Sequence, residues 1–369
     1  MRRPHLGIET NFEVLTVDII THGLASLAVA RGFFPRASKA AMACAVLAGT
    51  IASIDWFSSY FGPSAYLAWH GTYTHSILAA IFISAVFPVI FFPRTLRRAL
   101  SINEGVPKGN AVSFDVRPLR VLILGTFVLP LSAGLLHIAI DACHFNGVAL
   151  FWPFSSRRFA ADWLPSLDPW ILTILIAAIA LPELLRLVGS EIGAKTKKPR
   201  GQTGAIVGLV LVFAYVGVRG ALHSNVMALL ISRTFHGETP HRVWAYPESL
   251  SLLTWHGVVE TESALDEIDV NVAAPGDFDP DSSLRVFKPE PSPALETARS
   301  TSVARRFLAT AQIPRASVKQ TEVGYAVVLR DLHYTAADET KHEVAAYIEL
   351  DRNNRVTTQQ LVWARDLRQ

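Results

Sequence analysis

The chain has 369 residues, 50% of them hydrophobic and only 18% charged, with a formal net charge of +3 and a mean hydropathy of +0.30. Average soluble chains carry roughly a quarter charged residues, so a soluble enzyme over the whole length is excluded, and the mild basic excess forms no nucleic-acid patch. The two cysteines, Cys44 and Cys143, exclude a disulfide framework and a zinc site built on a CxxC pair.

Long apolar runs dominate from Val14 to about Leu222. A helix that crosses a bilayer needs about 20 mostly apolar residues. Six stretches qualify: 14–31, 40–57, 76–93, 119–142, 169–188 and 204–223. The first is interrupted by Asp18 and His22 and is too polar for a signal-peptide core. Arg31, Arg36 and Lys39 follow the first stretch. Arg94, Arg97, Arg98, Lys108 and Arg117 follow the third, and Lys195, Lys197, Lys198 and Arg200 follow the fifth. The segment from Ser58 to Thr74 has no Lys or Arg, and the loop after the fourth stretch has only Arg157 and Arg158. Basic loops mark the cytoplasmic side. Both termini are therefore expected outside, with Arg2 and Arg3 as the one opposing signal.

From about His236 onward apolar and polar positions alternate. Glu267–Val272, Tyr325–Arg330, Val344–Leu350 and Val356–Val362 read as strands, with Asn353-Asn354 as a turn between the last two. Pro293 to Ala311 reads as one helix with Leu295, Val303, Phe307 and Leu308 on its apolar face. The expected fold is a polytopic α-helical membrane domain of about six transmembrane helices, residues 1–235. A small soluble α+β domain, residues 236–369, follows on the outer side. His256, His333 and His342 are isolated there and read as ordinary residues.

Ionisable side chains in a membrane region are costly, and each is a functional candidate. Asp18 and His22 start the first stretch, Asp55 ends the second, His70 and His75 precede the third, and His137, Asp141 and His144 end the fourth. All of these ends fall on the outer side under the topology above. Asp18 and His22 are four apart, as are His137 and Asp141, so each pair shares a helix face. Imidazole and carboxylate together suit zinc, manganese or iron. The alternatives are a water-facing Asp18, an interfacial Asp55 and a loop His70.

The segment His137-x-x-x-Asp141, Gly147, Leu150-Phe151-Trp152-Pro153-Phe154-Ser155, Arg158-Phe159-Ala160, Asp162-Trp163 and Asp168-Pro169 resembles the signature of the YdjM/YbcI-type family. Thr74-His75-Ser76 and Thr21-His22-Gly23 resemble its Thr-His-Ser element and its N-terminal His. The resemblance spans roughly residues 14–235. Those are bacterial inner-membrane proteins regarded as metal-dependent hydrolases, some described as LexA-binding. The family in turn is similar to zinc-dependent phospholipase C and P1-type nucleases, which cleave phosphoesters. The resemblance implies metal ligation by His22, Asp55, His75, His137 and Asp141, with His70 as a further candidate. Two departures stand out. Ala52-Ser53-Ile54-Asp55 replaces the family's Pro-Asp-x-Asp, and His70-Gly71-Thr72 lacks the family's Arg.

The expected function is thus a membrane-bound hydrolase using a divalent metal, zinc foremost. Its substrate would be a lipid or lipid-linked phosphoester at the outer face of the inner membrane. Asp18 would orient a ligand histidine or act as general base. Arg157 and Arg158 would hold a phosphate, or else face lipid headgroups. Arg219 and His223 would face the same site, or Arg219 would snorkel. The expected partners are membrane lipids and a protein bound through the C-terminal domain, with no nucleic acid. Two other classes compete: an ion- or proton-coupled transporter, and a regulatory scaffold with a structural metal site. Helices three and five carry no ionisable residue in their cores, and no inverted repeat is evident, which counts against a transporter.

Overall fold

A computed structural model describes residues 8–93, 123–191, 201–336 and 342–368. Arg2, Arg3 and the basic residues at 94–117 and 195–200 lie outside the described residues. By internal contacts the chain forms two compact units. The first comprises Met1–Asp55, Gly71–Ala160 and Leu167–Gly217; the second comprises Trp56–His70, Ala161–Ser166 and Val218–Gln369.

In the first unit, α1 (Ile8–Phe33) is followed by α2 (Lys39–Ala48) and a 3-10 helix (Ile51–Phe61) that runs on into the second unit. The expected single helix over 40–57 is therefore two elements, broken at Gly49 and Thr50. The Ser38 hydroxyl caps α2 by accepting from Ala41 N at 3.1 Å. After α3 (Pro63–Trp69), which belongs to the second unit, α4 (Ile77–Phe91) is capped by Ser76, which accepts from Ala79 N at 3.1 Å. A π-type turn, Leu124–Val128, leads into α5 (Leu129–Asp141). Pro130 has no N–H to give the preceding turn, which accounts for the irregularity there. In α6 (Pro169–Glu191) the Asp168 carboxylate caps the start, accepting from Trp170 N and Ile171 N at 2.9 and 3.0 Å. Tyr215 Oη also donates to Asp168, at 2.7 Å. The last helix, α7 (Gln202–Ile231), is longer than the expected 204–223 and extends into the second unit.

The interior of the first unit is built from small residues. Ala25, Ala28 and Ala30 of α1, Ala45 of α2 and Ala133 of α5 are almost wholly buried. Large apolar side chains such as Phe82, Val89, Leu184 and Leu187 are exposed. This inverts the soluble pattern, and it suits helices that approach each other closely while facing acyl chains. Four segments are long and apolar enough to cross a membrane: Lys39–Phe61, Leu124–Asp141, Pro169–Leu187 and Gln202–Ile231. Helix α4 is strongly apolar but shorter. Six crossings are expected from the sequence, and four such segments are found among the described residues.

The second unit contains two four-stranded antiparallel sheets, each a simple meander. The first is β1 (Arg242–Pro247), β2 (Thr254–Glu260), β3 (Ala264–Asn271) and β4 (Leu284–Phe287). Val226 and Leu230 of α7 join Trp255, Val259 and Val270 in its core. That packing explains why the division between units falls at Gly217/Val218, earlier than the expected 235/236. Next come α8 (Pro293–Ser300) and α9 (Ser302–Leu308). The expected single helix over 293–311 is split by Thr301, which is extended and whose hydroxyl caps α9 through Ala304 N at 3.2 Å. Strands β5 (Pro314–Gln320), β6 (Gly324–Asp331), β7 (Val344–Asp351) and β8 (Val356–Trp363) form the second sheet, with the short α10 (Leu332–Ala336) after β6. Leu295, Ala298 and Phe307 pack on Val327, Leu329, Ile348 and Leu350. The turn before β8 places Asn354 at φ +61°, a backbone region that Asn tolerates.

Candidate metal centre

Helical periodicity carries the first two pairs. Asp18 and His22 stand one turn apart on α1, and His137 and Asp141 one turn apart at the end of α5. His75 sits just before the Ser76 cap of α4, and Asp55 lies on the 3-10 helix. The fold brings all six together.

Asp141 is the hub. Its Oδ1 lies 3.0 Å from His22 Nε2, and its Oδ2 lies 3.0 Å from His75 Nε2 and 3.1 Å from His137 Nε2. Asp18 Oδ1 approaches the same His22 Nε2 at 3.1 Å, and His144 Nδ1 stands 3.7 Å from Asp141. His22, His75 and His137 are each under 5% exposed, so bulk solvent does little to screen these approaches.

The far side of two rings fixes their protons. His137 Nδ1 lies 2.8 Å from the carbonyl oxygen of Gly49, which only accepts, so that nitrogen carries hydrogen. His75 Nδ1 lies 2.9 Å from Asp55 Oδ2 and likewise donates. In neutral rings both Nε2 atoms then present bare lone pairs. They stand 3.2 Å apart and about as close to Asp141. At His22 neither ring nitrogen makes a hydrogen bond of good geometry, although two carboxylates stand beside Nε2. Lone pairs packed against lone pairs in a buried site repel one another unless a cation, or additional protons, lies among them. His22, His137 and Asp141 offer ligand atoms all within 4.8 Å of one another. Ligating histidines typically give their other ring N–H to a carboxylate or a backbone carbonyl, and His75 and His137 do so here. The donor set fits zinc, with manganese and iron as alternatives.

Asp55, expected among the ligands, stands behind His75, on the side of the ring away from Asp141. Its Oδ2 accepts from Gly71 N at 2.8 Å, Thr74 Oγ1 at 3.0 Å and His75 Nδ1. That arrangement makes it a holder of His75. Ser53 occupies the position of the family's other carboxylate, and its buried hydroxyl has no hydrogen-bond partner. His70 falls in the second unit, where it ends α3 and stacks on Tyr66 with ring centroids 4.7 Å apart. Arg158 donates to Asn146 O at 3.4 Å and Thr72 Oγ1 at 3.3 Å. Its guanidinium Nη1 lies 3.2 Å from where a Cβ at Gly71 would be. Arg157 is exposed and lies over the ring of Phe159 at 5.6 Å. Arg219, expected to face this cluster, donates within the second unit to Trp163 O, Ser251 O and Glu248 O, with its guanidinium over Trp255. The Gly49 carbonyl and Thr74 were not foreseen. A backbone acceptor leaves no mark in the sequence, whereas Thr74 was visible in Thr74-His75-Ser76.

An interior of small residues, apolar outer faces and a buried knot of histidine and aspartate define an α-helical membrane protein. The chain belongs to the YdjM inner membrane protein family, whose sequence pattern matches residues 17–226. The match includes every member of the cluster and ends before the two sheets. No curated protein and no solved structure matches the chain. The expected likeness to zinc-dependent phospholipase C and P1-type nucleases is not among these matches.

Proposed function

We propose that this protein is a membrane-bound, metal-dependent hydrolase acting on a lipid or lipid-linked phosphoester at the outer face of the inner membrane. One observation carries the reading. His75 and His137 are held by their Nδ1–H groups so that both Nε2 atoms converge on the Asp141 carboxylate.

His22, His75, His137 and Asp141 hold the ion. A bound divalent cation supplies Lewis acidity and a water acidified toward neutrality. Asp55 and the Gly49 carbonyl fix the rings of His75 and His137. Asp18 holds His22 through Nε2 or, once that nitrogen is committed, accepts a proton from an attacking water. Arg157, exposed and without an ion pair among the described residues, meets the anionic part of a substrate. Arg158 positions the Thr72 and Asn146 loops. Loop charge supports six crossings with both termini outside, which places the cluster toward the outer leaflet.

The test is elemental analysis of the full chain purified in detergent, beside a His137→Ala/Asp141→Ala variant. Stoichiometric zinc or manganese in the wild type, absent from the variant, is expected, followed by turnover of phosphoesters by the metal-loaded protein alone. A folded wild-type protein that stays metal-free after incubation with zinc and manganese overturns the reading.

A further inference from the structure

The second unit carries a separate, basic cavity of about 370 Å³. Its floor follows from strand register. Arg242 on β1 stands opposite Glu260 on β2, and Glu260 stands opposite Leu265 on β3, so the three side chains form one row on one face. Trp244, two residues along β1, shares that face. The rim adds Lys288 just after β4, Arg299 on α8 and Arg315 on the edge strand β5.

Four cations and one carboxylate line this space. Lys288 is already satisfied: its Nζ lies 2.9 Å from Glu260 Oε1 and donates to Thr261 O at 2.7 Å. That pair cancels. Arg242, Arg299 and Arg315 form no ion pair and no side-chain hydrogen bond among the described residues. Arg242 is oriented by stacking, its guanidinium 4.7 Å from the centroid of Trp244. Like charges gathered in a concavity repel, and their gathering is offset by an anion that binds all three. Guanidinium forks match the oxygen geometry of phosphate. Trp244, Leu265 and the exposed ring of Phe287 add an apolar wall for the body that bears the anion.

We infer that this cavity is a binding site for a phosphate-bearing ligand, held by Arg242, Arg299 and Arg315 with its organic part against Trp244. The inference does not depend on the metal reading, because no cluster residue takes part.

The test is calorimetric titration of the full chain in neutral detergent with inorganic phosphate and with glycerol phosphate. Three proteins are compared: wild type, Arg299→Gln/Arg315→Gln and His137→Ala/Asp141→Ala. Both substituted arginines are exposed, so the fold tolerates the change. The expected result is saturable, salt-sensitive binding to wild type, at least about tenfold weaker in the arginine variant and unchanged in the cluster variant. Competition by phosphatidic acid doped into the micelles identifies a lipid headgroup as the source; binding without such competition identifies a soluble phosphate compound. No saturable binding to wild type overturns the inference. So does binding that survives the arginine substitutions, or binding lost only in the cluster variant.

Discussion

At the scale of single residues, the cluster separates groups that face its centre from groups that hold those in place. Asp141 faces three imidazole nitrogens, so Asp141→Asn removes the charge while keeping the shape, and metal content is expected to fall to background by elemental analysis. Asp55 acts on His75 from behind. Its loss frees one ring without removing a ligand, and Asp55→Ala is expected to weaken metal binding by about 10–100-fold in a competitive chelator titration. Equal loss in the two variants would place Asp55 among the ligands after all. A third residue tests the second unit. Burial raises the Asp162 carboxyl to about 7, and its Oδ1 is buried without a hydrogen-bond partner. The folded chain keeps a proton that the unfolded chain releases above pH 3.8. The stabilisation from that proton is full below 3.8 and is lost as pH rises toward about 7, by up to roughly 4 kcal/mol at 1.36 kcal/mol per unit. Asp162→Asn is expected to flatten the dependence of unfolding on pH across that window. The i,i+4 pairs made Asp18, His22, His137 and Asp141 legible, because helical period alone places each pair on one face. The order within the cluster was not legible: which nitrogen points inward depends on Gly49 and Asp55, brought in from other elements.

At the scale of elements, apolar runs announced the helices, and their breaks were decided by geometry that a run does not encode. Between α6 and α7 the approach depends on two glycines one turn apart. A Cβ at Gly208 would stand 2.3 Å from Ala178 Cβ, and one at Gly204 would stand 2.3 Å from Pro182 Cγ and 2.7 Å from the Ala178 carbonyl. This is the small-residue seam of membrane helix pairs. Gly208→Leu is expected to lower thermal stability in detergent by several degrees, about 1–3 kcal/mol of overpacking, while the same change at Gly217, where a Cβ meets nothing within 4 Å, leaves it unchanged. In the second unit the alternating strands β3, β6, β7 and β8 were readable. Strands β1, β2, β4 and β5 were not. β1 and β2 end in near-continuous buried runs, Ala245–Pro247 and Gly257–Val259, which lack the period of two. β4 is four residues long, and β5 begins at Pro314, a residue that ordinarily demotes a strand.

At the scale of the whole molecule, topology decides which side of the membrane the proposed centre serves. The loop charges that argue for outward termini lie at 31–39, 94–117 and 195–200, so the argument is electrostatic and can be tested apart from the helices themselves. In a Cys44→Ala/Cys143→Ala background, cysteines are placed at Ser101, in the basic loop after the third apolar stretch, and at Val323, which is 77% exposed in the turn before β6. A membrane-impermeant maleimide added to intact spheroplasts is expected to label the cysteine at 323 and to reach the one at 101 only after lysis. The reverse pattern would turn the chain over and direct the cluster to a cytoplasmic pool. Labelling of both from outside would mean that an even number of crossings lies between the two positions, where the six-crossing reading has three (119–142, 169–188 and 204–223). The six-crossing count would then fall, while the assignment of His22, His75, His137 and Asp141 to one centre would stand, because it rests on distances within a single unit.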